Sequence, residues 1–479
     1  MLVKIKIRSF FMIFNLKNTT NTEDAFTFFG DVNATSHPCL NKAIIKDFWH
    51  SFTFQSSTLS IDESDDYVFM IGNAKQISLD GCDYSINVEP CGICVYAKSE
   101  NDLIRGFMTL IDRFHAIDRG DTLAIEAKCC CIKGKPIVQN RMVHFCIFPE
   151  TELWELERFV RFCGALKYTH VVLEFWGMLC YDCMKELSWK HAFTKEQVKP
   201  IIQQANDLGL EIIPMFNHWG HASASRVMHG KHVVLDQNPM LQTYFSDDGW
   251  CWDISKPKVK ALLHKIRDEL CELCGDGSYF HIGCDEAYGF GFTKEDMDMI
   301  CDYINGIADE MRSQNRRVIV WGDMFLYRHP SYNPENKYAC NAPTAEAEAY
   351  MLERLSKDLI IADWQYEAKR SPVETSAVFA RAGFDCLLCP WDRGVPQMNS
   401  VISTVNEQSL MGFMHTTWHT LASGMQYVVL AAVEGFDGTG ACTMREARAN
   451  AAAIWRKVMY VEGDYAKAGW SRRDINNMF

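Results

Sequence analysis

The chain has 479 residues, of which 48% are hydrophobic and 23% charged, with a formal net charge of −13. That length exceeds one ordinary domain but suits a (β/α)8 barrel of roughly 250 to 400 residues with a smaller companion. The acidic balance argues against nucleic acid as a partner, because it would repel a phosphate backbone, and no stretch approaches the roughly 20 apolar residues that span a bilayer.

The segment from Met1 to Leu16 is mildly basic (Lys4, Lys6, Arg8) and then apolar from Phe10 to Phe14. The apolar run is short and no small-residue cleavage site follows, so an opening β-strand is expected rather than a secretory signal. Asp66–Gly72, Gln76–Leu79, Ser85–Val88 and Gly92–Tyr96 are short strand-like runs split by Gly and Asp. Asn101–Ala116 then places Leu103, Ile104, Phe107, Leu110, Ile111 and Phe114 at helical spacing. Residues 1–136 therefore read as a small α+β domain, with Lys133-Gly134-Lys135-Pro136 as a hinge. Twenty cysteines include the consecutive Cys129-Cys130-Cys131, which could hardly all pair without strain. A reducing, cytoplasmic compartment is expected.

Residues 137–479 read as a catalytic barrel with C-terminal helices. Eight apolar runs alternate with helical segments: Met142–Phe148, His170–Phe175, Leu210–Phe216, Tyr279–Gly283, Arg317–Trp321, Leu359–Trp364, Cys386–Cys389 and Gly412–Thr416. The intervening helices include Glu152–Leu166, Lys195–Leu208, Pro257–Cys274 and Lys294–Ser313. Strand–helix repetition predicts a parallel sheet, and a count of eight predicts closure into a TIM barrel. No Gly-rich phosphate loop follows the first strand to favour an open doubly wound sheet.

In such barrels the loops at the C-terminal strand ends carry the site. Trp176, Trp219, Trp321, Trp364, Trp391 and Trp418 follow or close six different strands, so nearly half of the thirteen tryptophans are expected on one rim. Indole faces stack on the apolar C–H faces of sugars, although core packing explains any one of them equally well. His281-Ile282-Gly283-Cys284-Asp285-Glu286-Ala287-Tyr288 closes the fourth strand. Within a strand, adjacent carboxylates would point to opposite faces and one would be buried unpaired. At the strand's end both can reach the mouth. Glycosidases need one carboxylic acid with a raised pKa and a second carboxylate that stabilises positive charge, and a like-charged neighbour is itself a way to raise a pKa. Asp285 and Glu286 are therefore the expected catalytic pair. Further polar candidates at this end are Arg141, Glu174, Asn217, His218, His221, Asp323, Tyr366, Asp392 and His419.

His218 and His221, near His229 and His232, hint at metal, but the spacing lacks the carboxylate of zinc hydrolases. Cys180-x-x-Cys183 and Cys271-x-x-Cys274 lie too far apart in sequence for a zinc ribbon. Neither a metal nor a cofactor is expected.

The motif from His281 to Glu286 resembles the His-x-Gly-x-Asp-Glu signature of family 20 glycoside hydrolases, the β-N-acetylhexosaminidases, and with Tyr288 is close to their hexosaminidase D-like branch. Asn140-Arg141-Met142-Val143, Trp219-Gly220-His221, Trp321-Gly322-Asp323-Met324 and Asp363-Trp364-Gln365-Tyr366 resemble further stretches of that barrel, and Asp102–Phe114 the helix of the small domain preceding it. The resemblance implies exo-acting, retaining, substrate-assisted hydrolysis of terminal GlcNAc or GalNAc. Glu286 would be the acid/base and Asp285 the holder of the acetamido group, an exception to the two-carboxylate scheme. Trp321, Trp364 and Trp418 would wall the subsite, and Arg141 and Asp392 would hold hydroxyls. Three positions depart from the pattern: Thr420 stands where many members carry Glu, Pro390 or Trp391 where they carry Tyr, and Glu174 replaces a His and Asp. Glu174, His221, Asp323, Tyr366 and Trp391 complete the expected substrate-binding set. The competing readings are a barrel that only binds sugar, a metal-dependent hydrolase using His218, His221 and Asp285, and a retaining glycosidase with a protein nucleophile. The expected partner is a glycan or small glycoside; the sequence leaves the oligomeric state open, a homodimer being compatible with it.

Overall fold

The computed structural model describes residues 13–14, 19–223, 234–418 and 421–459. The chain first builds a sheet from β1 (Thr19–Phe28), β2 (Gly30–Ser36), β3 (Ser57–Glu63), β4 (Val68–Gly72), β5 (Tyr84–Glu89), β6 (Gly92–Ala97), β7 (Phe114–Asp118) and β8 (Leu123–Gly134), with helices α1 (Lys42–Phe52) and α2 (Glu100–Ile111) between them. The strand order is β1-β8-β5-β6-β4-β2-β3, with β7 beside β8. Among the described strands of this sheet only β2 and β3 pair in parallel. The apolar stripe of α2 (Leu103, Ile104, Phe107, Leu110, Ile111) is buried. Gly106 lets the helix approach the sheet closely, since a Cβ there would lie 2.7 Å from the Val95 side chain.

Three expectations for this domain are corrected. Residues 76–79 form no strand. The helix stops at Ile111, after which Phe114 opens β7. Lys133 and Gly134 belong to β8 rather than to a hinge, and the Gly134 backbone packs directly on the Tyr84 ring. Of the expected opening strand over residues 1–16, only Ile13 and Phe14 lie among the described residues.

The barrel strands are β9 (Asn140–Cys146), β10 (His170–Glu174), β11 (Glu211–Met215), β12 (Tyr279–His281), β13 (Arg317–Trp321), β14 (Ile360–Trp364), β15 (Asp385–Cys389) and β16 (Gly412–His415), closed by parallel pairing of β16 on β9. Around them run α3 (Leu153–Ala165), α4 (Lys195–Asp207), the single turn α5 (Val234–Gln237), α6 (Pro257–Cys274), α7 (Lys294–Ser313), α8 (Ala345–Arg354), α9 (Glu374–Arg381), α10 (Val395–Glu407) and α11 (Leu421–Asp437); α12 (Met444–Met459) follows. Capping boxes start α4 (Thr194 with Gln197) and α7 (Thr293 with Asp296), satisfying end amides that the helices cannot. The interior is filled by Met142, Val172, Ile213, Ile319, Ile360, Leu387 and Met414, so the barrel is a packed core whose upper end alone is open to chemistry. No described helix is long and apolar enough to cross a membrane.

The small domain joins the lower end of the barrel. Lys167, in the turn before β10, is fully buried with its ammonium 3.4 Å from the Phe14 ring centroid and 3.7 Å from that of Phe436. It also donates to Thr109 Oγ1 of α2 at 3.1 Å. Cation–π contacts of this kind strengthen on desolvation.

Candidate active site

Strand β12 ends at His281, and the next residues leave the sheet through an unusual turn. Gly283, Cys284 and Glu286 all have positive φ, at 66°, 76° and 47°. For the two non-glycine residues this conformation costs on the order of 1–2 kcal/mol each. The surroundings hold it. Ile282 N–H donates to Ile319 O at 2.9 Å, Trp321 N–H to Gly283 O at 3.0 Å, and His218 N–H to Ile282 O at 2.8 Å. Glu286 N–H donates to Asp323 Oδ2 at 3.0 Å, and Trp250 Nε1 to Glu286 O at 2.7 Å. The twist brings both adjacent carboxylates to one histidine: His221 Nε2 is 3.1 Å from Glu286 Oε2 and 3.4 Å from Asp285 Oδ2.

Two glycines are required by close approach. A Cβ at Gly283 would sit 1.7 Å from Asn217 Oδ1, and one at Gly220 would sit 1.7 Å from the Asp285 carbonyl oxygen. Gly220 thus seats the His221 loop directly against the turn that carries Asp285 and Glu286. Gly220→Ala should lose at least tenfold in activity and roughly 2 kcal/mol or more of stability through this backbone clash. The control is Gly306, exposed in the middle of α7 with open space where a Cβ would stand: Gly306→Ala should gain about 0.5–1 kcal/mol. Melting curves and initial rates of the two variants check the pair, and an unperturbed Gly220→Ala enzyme refutes the packing account.

Asp285 is only 6% exposed, and its Oδ1 has no hydrogen-bond partner in the described chain. Burial, helped by the negative charges of Asp323, Glu286 and Glu174, pushes its carboxyl up to about 7, against the pull of His221. Asp323, also buried, is pushed up to about 6, chiefly by desolvation. Both its oxygens are engaged: Oδ1 accepts from Trp364 Nε1 at 3.0 Å, and Oδ2 from Glu286 N–H and from Asn341 Nδ2 at 2.7 Å. It therefore ties the backbone of Glu286 to an aromatic wall.

That wall is built from partly exposed rings. Trp364 lies 5.1 Å from Tyr366, and Tyr366 lies 5.2 Å from Trp391. Trp418 Nε1 donates to the Tyr366 hydroxyl at 2.6 Å. Asp392, at the same rim, pairs with Arg393. Trp321 is fully buried beneath, 6.0 Å from Trp418 and 4.5 Å from His281.

Several expected ligand contacts are corrected. Arg141 sits at the opposite, N-terminal end of β9, where its guanidinium donates to the carbonyls of Val138, Gln139 and Lys167 at 2.7, 3.0 and 2.6 Å. It seals the domain junction, because a residue opening a parallel strand points to the barrel's lower end. Glu174 does stand at the upper end but is fully buried; it accepts from Asn217 Nδ2 at 2.7 Å and from Trp176 Nε1, and meets His144 Nε2 at 3.0 Å. With Trp321 and Asp323 it forms the layer beneath the site rather than its surface. Trp176 and Trp219 pack into the core, Trp219 edge-on to Phe290 at 4.8 Å. His218 is buried with Nδ1 2.6 Å from Phe216 O, turned away from any metal grouping with His221. Among the described residues the only trio spaced to hold an ion is His264, Asp268 and Glu310 on α6 and α7, where Arg267 already grips Glu310. His229, His232, His419 and Thr420 lie outside the described residues.

Sequence reasoning missed Trp250, which holds the Glu286 carbonyl and lies 4.5 Å from the His221 ring. It arrives on the long segment between β11 and α6, where no strand-end pattern marks it.

Residues 172–393 match the catalytic domain of glycosyl hydrolase family 20. The chain is 24% identical over 178 residues to hexosaminidase D of Bos taurus, covering 33% of this chain and 48% of that protein. It is 23% identical over 242 residues to the lacto-N-biosidase of Bifidobacterium bifidum, covering 46% of this chain and 18% of that one. The matched segments thus span less than half the length of these curated relatives. In fold it is similar to the exo-β-N-acetylglucosaminidase of Vibrio harveyi, with a TM-score of 0.67 at 16% identity over 93% of this chain and 77% of that one. The segment that matches the family 20 catalytic domain contains both carboxylates, His221 and the aromatic wall as far as Trp391.

Proposed function

We propose that the protein is an exo-acting, retaining β-N-acetylhexosaminidase that uses the substrate's own 2-acetamido group as nucleophile. The observation that carries this reading is the buried, unpartnered Oδ1 of Asp285 beside Glu286. An acceptor left without a donor in a dry site costs stability unless a ligand completes it. An acetamido N–H supplies that donor, and the oxazolinium charge that follows favours the ionised carboxylate. Glu286, whose side chain is 27% exposed beside His221, protonates the leaving oxygen. After departure the same carboxylate takes a proton from the attacking water. The oxazolinium ring opens from the face the leaving group vacated, which gives net retention. Trp364, Tyr366, Trp391 and Trp418 enclose the sugar, with Asp392 at the rim.

A panel of aryl β-glycosides tests this. Aryl GlcNAc or GalNAc should turn over at least a thousandfold faster than aryl glucoside, which lacks the internal nucleophile, and the product should emerge first as the β-anomer. Comparable glucoside turnover would mean a protein nucleophile and end the proposal.

A further inference from the structure

Tyr288 is one of few large apolar side chains exposed to solvent, at 39%. Its place is fixed. Its N–H donates to Glu286 O at 2.7 Å, and its ring lies parallel to Trp250 within 23°, at 6.1 Å between centroids. Trp250 is itself pinned to the Glu286 carbonyl. Burial and the neighbouring Glu286 carboxylate hold the Tyr288 hydroxyl well above the usual phenol range. A braced back face, an open front face and a polar tip near the acid make a rigid amphipathic platform at low entropic cost. The first ring of a leaving group lies next to the oxygen that Glu286 protonates, and Tyr288 is the exposed ring two residues along the same turn.

We infer that Tyr288 receives the first sugar ring of the leaving group and positions Glu286, so that the preferred substrates are β-linked oligosaccharides rather than simple alkyl glycosides. This rests on the hexosaminidase reading. Glu286 is faced by His221 from the loop after β11, by Asp285 in its own turn, by Asp323 after β13 and by the Tyr288 hydroxyl. The two donors favour its ionised form, while the two carboxylates favour its protonated form. Removing the Tyr288 donor therefore keeps the acid protonated to higher pH.

The test compares Tyr288→Phe and Tyr288→Ala on a GlcNAc-terminated β-disaccharide and on the methyl β-glycoside of GlcNAc, across pH. Tyr288→Ala should raise KM for the disaccharide about tenfold, a loss near 1.4 kcal/mol, and leave KM for the methyl glycoside within twofold. Tyr288→Phe should keep the disaccharide KM but move the alkaline limb of kcat/KM upward by about half a unit on both substrates. Equal KM changes on the two substrates, or superimposable pH profiles for wild type and Tyr288→Phe, overturn the inference while the hexosaminidase reading stands. A wild-type protein that cleaves neither glycoside overturns both. Tyr288→Phe keeps the ring on Trp250 and should keep the wild-type melting temperature.

Discussion

Glu286→Gln will lose on the order of a thousandfold or more in kcat on an unactivated β-N-acetylglucosaminide, because proton donation to a sugar or alkyl oxygen carries about that share of the rate. The amide keeps the side chain's volume and can still meet His221, which lies 3.1 Å from Oε2, so the turn should survive. Leaving groups that depart without a proton separate the two duties proposed for this carboxylate. On a dinitrophenyl glycoside the first step should slow far less, since no acid is needed, and the second should then limit turnover because no base activates water. Added azide, a nucleophile that needs no base, should restore turnover of the activated substrate and yield the β-azide. Near-normal hydrolysis of the unactivated substrate by this variant would remove Glu286 from the mechanism.

The barrel was legible because its signal is redundant. Buried parallel strands read as continuous apolar runs, and each expected run lies within about two residues of its strand, Arg317–Trp321 matching end to end. The small domain was less so. β1 (Thr19–Phe28) is largely exposed and much of β3 (Ser57–Glu63) alternates towards solvent, both with polar side chains that leave no apolar run to mark them. At the site, the motif located Asp285 and Glu286, but position along a strand does not give side-chain direction. Arg141 follows a strand's first residue and so faces the wrong end, while Glu174 turns inward to His144 and Asn217. The positive φ of Cys284 and Glu286 had no sequence signature either, since neither is a glycine. That turn is determined by partners distant in sequence, among them Asp323, Trp250 and the Gly220 backbone. A local pattern can therefore announce that two carboxylates matter without revealing what makes them differ.

Burial makes them differ: Asp285 is nearly enclosed whereas Glu286 opens to solvent, and Asp285→Asn should expose the consequence in two independent measurements. In catalysis, the variant should slow oxazolinium formation by at least a hundredfold even with good leaving groups, because the acetamido N–H loses its anionic acceptor and the developing positive charge its counter-ion. It should also move the alkaline limb of kcat/KM downward, since removing a like charge beside Glu286 makes that acid easier to ionise. In stability the sign is opposite. The carboxyl of Asp285 titrates at about 7 in the fold and near its ordinary value of 3.8 in the unfolded chain. Between those values the native state binds the extra proton, so this group's contribution to stability falls as pH rises through the window and stays low above it. Asparagine carries no such charge. Asp285→Asn should therefore be more stable than wild type at pH 8, by an amount on the order of a few kcal/mol, with the advantage vanishing towards pH 4. Urea unfolding at the two pH values reads this directly. A variant that is slower but no more stable at pH 8 would show that Asp285 is not held at an energetic cost, and the argument from its unpartnered oxygen would fail with it.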